Sequence, residues 1–172
     1  MNMTEDFRSE ELIFMMKKIG LDLASVMDCR LKNGEISGVQ VYFLVYIMRH
    51  HPQGTYLTEL CRETGMSKAT LSALIKKLRE KNYLYFRENS KDIRRKEVFP
   101  TEKLQLEGQK FLDKIRQLEE EVCSVLSTEE KMQFWALEQK VLLQLIKMEK
   151  KEKNKDRRFV YREKSVTAIE TI

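Results

Sequence analysis

The segment 57–81 constrains the fold more than any other part of the chain, because two helical patterns meet there across a very short connection. Leu60 and Cys61 mark the inner side of a first helix over 57–64. Gly65 follows, where a residue without a Cβ lets the chain turn left-handed at no steric cost. Ser67 suits the N-cap of a second helix, since its hydroxyl can accept from backbone N–H groups left free at a helix start. On that helix, running to about residue 81, Leu71, Leu74, Ile75 and Leu78 recur at i, i+3, i+4 and i+7 and form one buried stripe. The other side carries Lys68, Ala69, Ser72, Ala73, Lys76 and Lys77, all small or basic. Asn82 suits a left-handed stop.

Beyond Asn82 the period changes. Segments 84–88 and 97–99 are rich in aromatic and branched residues, as in short strands, and 89–96 reads as a polar, basic loop between them. The unit is therefore a hairpin with a charged tip. Before it, Leu12, Met15, Met16, Ile19, Leu23 and Val26 make one apolar stripe on a helix over 9–31. Ser37 and Gln40 have capping-box spacing, opening a mostly apolar helix over 38–50 that Pro52 and Gly54 end. After the hairpin, Thr101 caps a helix on which Phe111, Ile115, Leu118, Val122 and Val125 follow the 3.5 period of a helix–helix seam. Ser127 and Glu130 form a second capping box, starting a last helix through Leu142, Leu145 and Met148. From residue 150 the pattern is charged and ill-defined, which predicts a loosely ordered tail. Two consecutive amphipathic helices favour a dimer, although the Phe111–Val125 spacing fits intramolecular packing as well.

Several classes of protein are excluded. The longest apolar run, 41–48, is far below the roughly 20 residues that cross a bilayer. The N-terminus lacks the basic and apolar regions of a signal peptide, so a cytoplasmic protein is expected. Cys29, Cys61 and Cys123 are odd in number and far apart, which argues against a disulfide framework and predicts buried, apolar thiols. His50 and His51 lack the further ligands a metal requires, and no cofactor is expected. No phosphate loop, nucleophile elbow or Ser/His/Asp set indicates an enzyme.

The net charge of +5 matters mainly through its distribution. Residues 67–96 hold ten Lys and Arg against three acids, and residues 150–172 hold eight against four, so the remainder is net acidic. A basic centre on an acidic body is the footprint of a polyanion binder. A helix with a small, basic face fits a major groove about 12 Å wide. Ser67 and Thr70 can donate to phosphates or bases, and Lys68, Lys76 and Lys77 can neutralise phosphates. Lys91, Arg94, Arg95 and Lys96 at the hairpin tip suit the flanking backbone or minor groove.

The chain resembles the MarR-type (multiple-antibiotic-resistance) winged helix-turn-helix transcription regulators. Leu57-Thr58-Glu59-Leu60, Gly65-Met66-Ser67-Lys68-Ala69-Thr70-Leu71-Ser72 and Lys77-Leu78-Arg79-Glu80-Lys81-Asn82-Tyr83-Leu84 carry the resemblance. Asp92-Ile93-Arg94 with Arg95-Lys96, leading to Thr101-Glu102-Lys103, completes it over about residues 9–149. The resemblance implies a mainly α fold with a β-hairpin wing, flanked by long dimerisation helices. Its parts would be an N-terminal dimerisation helix (1–36), the winged helix-turn-helix (37–100), C-terminal dimerisation helices (101–149) and the basic tail (150–172). It further implies a repressor acting as a homodimer on a pseudo-palindromic operator. Leu12, Ile19, Phe111, Ile115, Leu118, Val122, Leu142 and Leu145 are the candidates for dimer contacts. Arg94 would enter the minor groove, braced by Asp92. A small aromatic effector would bind between the dimer and DNA-binding parts, where Phe14, Tyr42 and Tyr46 suit a pocket, a core or an interface. Ala73 stands where relatives often carry Arg, Asn82 where Gly is usual, and Pro100 and Leu104 where Leu and Gly are usual. The competing function is a winged-helix protein-interaction module that does not bind DNA specifically.

Overall fold

The computed structural model describes the backbone of residues 9–89 and 92–167 and the side chains of residues 9–87 and 96–152. In chain order it contains α1 (Ser9–Leu31), α2 (Gly38–His50), β1 (Thr55–Tyr56), α3 (Leu57–Thr64) and α4 (Lys68–Glu80). Then come β2 (Leu84–Asn89), β3 (Asp92–Pro100), α5 (Glu102–Val122), a 3-10 turn (Cys123–Val125) and α6 (Thr128–Thr167). The chain divides into two compact units, Met1–Glu120 and Glu121–Ile172.

In the first unit, local chemistry sets the element boundaries. The Ser37 hydroxyl accepts from Gln40 N at 3.3 Å while the Gln40 side chain accepts from Ser37 N at 2.9 Å, so the expected capping box forms. Gly65 ends α3 at φ 69°, and its N–H donates to the carbonyl of Cys61. Asn82 takes φ 61° after α4, as its left-handed tolerance predicts. Tyr83 and Thr101 then join wing to helix: Thr101 N donates to Tyr83 O, and the Thr101 hydroxyl donates to Asn82 O at 2.6 Å. The same hydroxyl accepts from Leu104 N at 3.3 Å and so caps α5.

Apolar burial assembles these elements. Val41, Phe43, Leu44, Val45 and Ile47 of α2 pack with Leu60, with Leu71, Ile75 and Leu78 of α4, and with Leu84 and Val98 of the sheet. Leu104, Phe111, Ile115 and Leu118 complete this core from α5. That corrects the dimer assignment for Phe111, Ile115 and Leu118, which are buried within the chain's own core. Val122, which continues the same spacing, is exposed.

Other expectations change as well. The sheet has three strands in the order β1-β3-β2, all antiparallel. Its third member pairs Thr55 with Val98 and Tyr56 with Glu97. The basic stretch expected as a loop over 89–96 is mostly strand, because β3 begins at Asp92. Cys29 and Cys123 are exposed and Cys61 is half-buried, so the thiols are not uniformly core residues.

In the second unit, the Ser127 hydroxyl accepts from Glu130 N and the Glu130 carboxylate accepts from Ser127 N, forming the second capping box. Over the segment expected as a loosely ordered tail, the backbone continues α6 as far as Thr167, and residues 168–172 lie outside the described residues. Among the described residues, no helix is long and apolar enough to cross a membrane.

Candidate nucleic-acid interface

The site begins with the way α4 is anchored. Leu71, Ile75 and Leu78 are fully buried, which fixes the helix's rotation and leaves Lys68, Ala69, Thr70, Ser72, Ala73, Lys76 and Lys77 exposed. All seven predicted α4 residues thus lie on the solvent side. At its start, Ser67 Oγ accepts from Thr70 N at 3.1 Å, and the two hydroxyls lie 2.8 Å apart. Both therefore sit at the positive end of the helix dipole, where anions are favoured. Lys76 lies 4.0 Å from Glu80, with both side chains mostly exposed. Such a pair contributes at most about 1 kcal/mol and does not withhold the amine from a phosphate.

The wing is braced against α4 by aromatic and charged groups. The Arg79 guanidinium lies 4.3 Å from the Phe86 ring centroid, and Lys96 Nζ lies 5.4 Å from the same centroid. Elsewhere on the sheet, Arg87 covers the Phe99 ring at 4.2 Å and donates to Glu97 at 3.1 Å. The Tyr56 hydroxyl, followed by Arg87, holds the Glu97 carboxyl below its ordinary range. Phe99 stacks on Tyr85, with ring centroids 5.5 Å apart. These contacts make the base of the wing a stiff platform.

Lys96 is exposed beside that platform. Lys91 lies outside the described residues; the backbones of Asp92, Arg94 and Arg95 belong to β3, but their side chains lie outside the described set. Sequence reasoning missed Tyr56, Thr58 and Phe86. With Leu57, Lys68, Ser72 and Lys96 they line a cavity of about 310 Å³ between α4 and the wing. The only signal for β1 was a Thr-Tyr pair after Gly54, too short to show a period.

The other predicted residues lie elsewhere. Leu12, Ile19, Leu142, Leu145 and Val122 are exposed apolar residues. Tyr46 is half-buried and donates to Glu63 at 2.8 Å, and His51 meets the same carboxylate at 2.6 Å. Tyr42 and Phe14 are exposed. Among the described residues no group of His, Cys, Asp and Glu is arranged to hold a metal.

Helix, turn, helix and a three-stranded wing define a winged helix-turn-helix protein. Residues 35–95, about a third of the chain, match the model of the MarR family. That segment is similar to the MarR family, and its surroundings have the winged helix-turn-helix fold. No curated protein sequence matches it. Among solved structures, it is similar to S. aureus MepR in a DNA complex, with 25% identity and a TM-score of 0.69 over 81% of this chain and 99% of that one. A MarR-family regulator from Listeria monocytogenes, complexed with a 26mer DNA, shows 20% identity and a TM-score of 0.67 over 80% and 87%. Bordetella bronchiseptica BpsR, whose DNA binding is regulated by 6-hydroxynicotinic acid, shares the fold at 14% identity and a TM-score of 0.67 over 76% and 98%.

Proposed function

We propose that this regulator binds duplex DNA as a homodimer, with α4 in successive major grooves and the wing on the flanking backbone, and represses by occluding its operator. The observation that carries this reading is the small or basic solvent face of α4 formed by Lys68, Ala69, Ser72, Ala73, Lys76 and Lys77, beside Lys96 and the basic β3 sequence. The DNA complexes of the S. aureus and Listeria proteins support it by fold. The exposed apolar residues Leu12 and Ile19 on α1, and separately Leu142 and Leu145 on α6, support self-association, since exposed apolar side chains gain from burial.

The cavity between α4 and the wing supports release by a small effector. Two amines, from Lys68 and Lys96, two hydroxyls, from Thr58 and Ser72, and two aromatic rings, from Tyr56 and Phe86, suit a small aromatic anion. An occupant there would compete directly with DNA for Lys68 and Ser72. This differs from a pocket between dimer and DNA-binding parts, and the regulated Bordetella relative is consistent with an aromatic acid as ligand.

Selection of bound sites from random duplex DNA tests the function, and paired half-sites are the expected outcome. In parallel, Lys76→Ala with Arg94→Ala should weaken binding and lower the slope of log K against log salt by about 0.9 for each phosphate left without its cation. No enrichment and no salt-dependent binding would favour the interaction-module reading instead.

A further inference from the structure

One cation outside the interface described above ties α4 to the rest of the first unit. Lys103 is the second residue of α5, and its amine donates to Glu35 Oε2 at 2.9 Å and to the carbonyl of Lys81 at 3.2 Å. The same amine lies 4.3 Å from the centroid of the Tyr83 ring. Three parts of the chain therefore converge on it. Glu35 belongs to the tight turn between α1 and α2, closed by paired hydrogen bonds between Asn33 and Ile36. Lys81 is the C-cap of α4, and Tyr83 leads from α4 into β2 while its hydroxyl donates to Glu107 of α5 at 2.7 Å. The hydrogen bond from Lys103, then its charge, hold the Glu35 carboxyl below its ordinary range. The placement runs against α5's own electrostatics. A cation in a helix's first turn opposes the macrodipole, whereas the C-terminal end of α4 is where a cation is favoured. The amine thus serves α4 rather than the helix that carries it. Lys103 keeps 31% and Glu35 54% of their side-chain surface exposed, so the ion pair adds little net stability. What it fixes is position.

We infer, resting on the DNA-binding reading above, that Lys103 is a positioning residue for DNA recognition. It holds the C-terminal end of α4 at a fixed place relative to α5 and the α1–α2 turn. Burial of Leu71, Ile75 and Leu78 decides which side of α4 faces out, but burial is non-directional. Directional bonds at the helix end define its tilt. Tilt matters on this face because Ala69, Ser72 and Ala73 have no length with which to follow a displaced base edge. Lys76 and Lys77 are long and flexible, and they keep their phosphates through a small shift. Loosening the end of α4 therefore removes discrimination between sequences before it removes charge neutralisation.

The test compares the full chain with three variants. Lys103→Met keeps the unbranched stem and removes the charge and donors. Lys103→Arg retains both and can still pair with a carboxylate and stack on a ring. Glu35→Gln weakens the tie from the other side without altering α5. Two probes are used: the tightest duplex recovered by selection from random DNA, and a shuffled duplex of the same length and composition. Affinity for each is measured across a series of KCl concentrations, with Tm followed by circular dichroism. For Lys103→Met the ratio of the two affinities is expected to fall on the order of 10-fold, with the salt slope on the shuffled duplex unchanged. Glu35→Gln should lower the ratio in the same direction and carries the test alone if Lys103→Met does not fold; Lys103→Arg should restore most of it. A slope on the shuffled duplex lower by about 0.9 would make Lys103 a phosphate contact and overturn the inference. An unchanged ratio also overturns it, whether or not Tm falls, because a merely structural tie moves Tm alone. If the full chain itself does not distinguish the selected duplex from the shuffled one, the DNA-binding reading has failed, and this inference with it.

Discussion

Gly38→Ala is expected to be among the most damaging single-methyl additions to this protein. Gly38 is the first residue of α2 and lies against the end of α1. A Cβ built there would be 2.0 Å from the carbonyl oxygen of Met27 and 2.5 Å from the Asp28 Cα, both backbone atoms. Ordinary contacts begin near 3.4 Å. One helix must therefore move by more than about 1 Å, and overpacking of this kind costs about 1–3 kcal/mol. The shift also strains the 3.0 Å bond from Gly38 N to the Asp28 carboxylate, adding about 1–2 kcal/mol. Reduced unfolded-state freedom returns up to about 1 kcal/mol. The net loss is about 3 kcal/mol, which for a chain of 172 residues corresponds to roughly 8 °C in Tm. Gly108→Ala is the control. Its Cβ would crowd only Met48 Cε and Sδ, the free end of a flexible side chain that can swing aside, so it should cost about 1 kcal/mol or less. Thermal unfolding followed by circular dichroism at equal protein concentration measures both. A Gly38→Ala midpoint within about 2 °C of the parent, or no lower than that of Gly108→Ala, would refute the close-approach argument.

Two further perturbations address the polar ties within the first unit. Tyr83 is buried, donates to Glu107 at 2.7 Å and packs on Phe111, so Tyr83→Phe keeps the ring and removes one bond to a carboxylate. A loss of about 1–2 kcal/mol is expected in urea unfolding with the m-value unchanged; equal midpoints would show that the bond contributes nothing net. Burial, reinforced by Glu63, pushes the Tyr46 hydroxyl up to about 12. Unfolded chains ionise Tyr near 10, so between about pH 10 and about 12 the folded state holds the extra proton and stability falls as pH rises. The Tyr46 contribution is complete below about pH 10, and Tyr46→Phe should flatten that decline in midpoint-against-pH measurements. A parallel decline in both proteins would assign it to other groups.

The sequence was most legible where a single residue's chemistry decides the backbone. Ser37, Gly65, Ser67, Asn82 and Ser127 mark helix ends because caps and left-handed turns are settled within four residues. Spacing was less informative about partners. The Phe111, Ile115 and Leu118 stripe records a buried face, yet the same period serves a dimer seam or an internal core, and here it serves the core. Val122 continues the period into solvent. Strand β3 was only partly visible because Asp92, Arg94 and Arg95 carry no apolar mark, and its pairing with β2 comes from cross-strand register. The cavity between α4 and the wing was hidden for a related reason. Tyr56, Lys68 and Phe86 are far apart in the chain and meet only through the sheet and helix packing.

The α4 face also bears on how a sequence would be read. Ala69, Ser72 and Ala73 allow a close approach to base edges, but none has the two donors that make a bidentate contact with guanine. Lys76 and Lys77 are flexible amines better suited to phosphates, which position without discriminating. An operator preference built on this helix would therefore depend on the thymine methyl groups that Ala and Thr70 can meet and on the ease of deforming the duplex. The wing is better equipped for that second task. Its base is braced by Arg79 on Phe86 and by Arg87 between Phe99 and Glu97, while the basic β3 sequence extends from it. A rigid base aims its charges at one groove width, so a narrow, A/T-rich minor groove beside each half-site would be favoured over a wide one even where no base is touched.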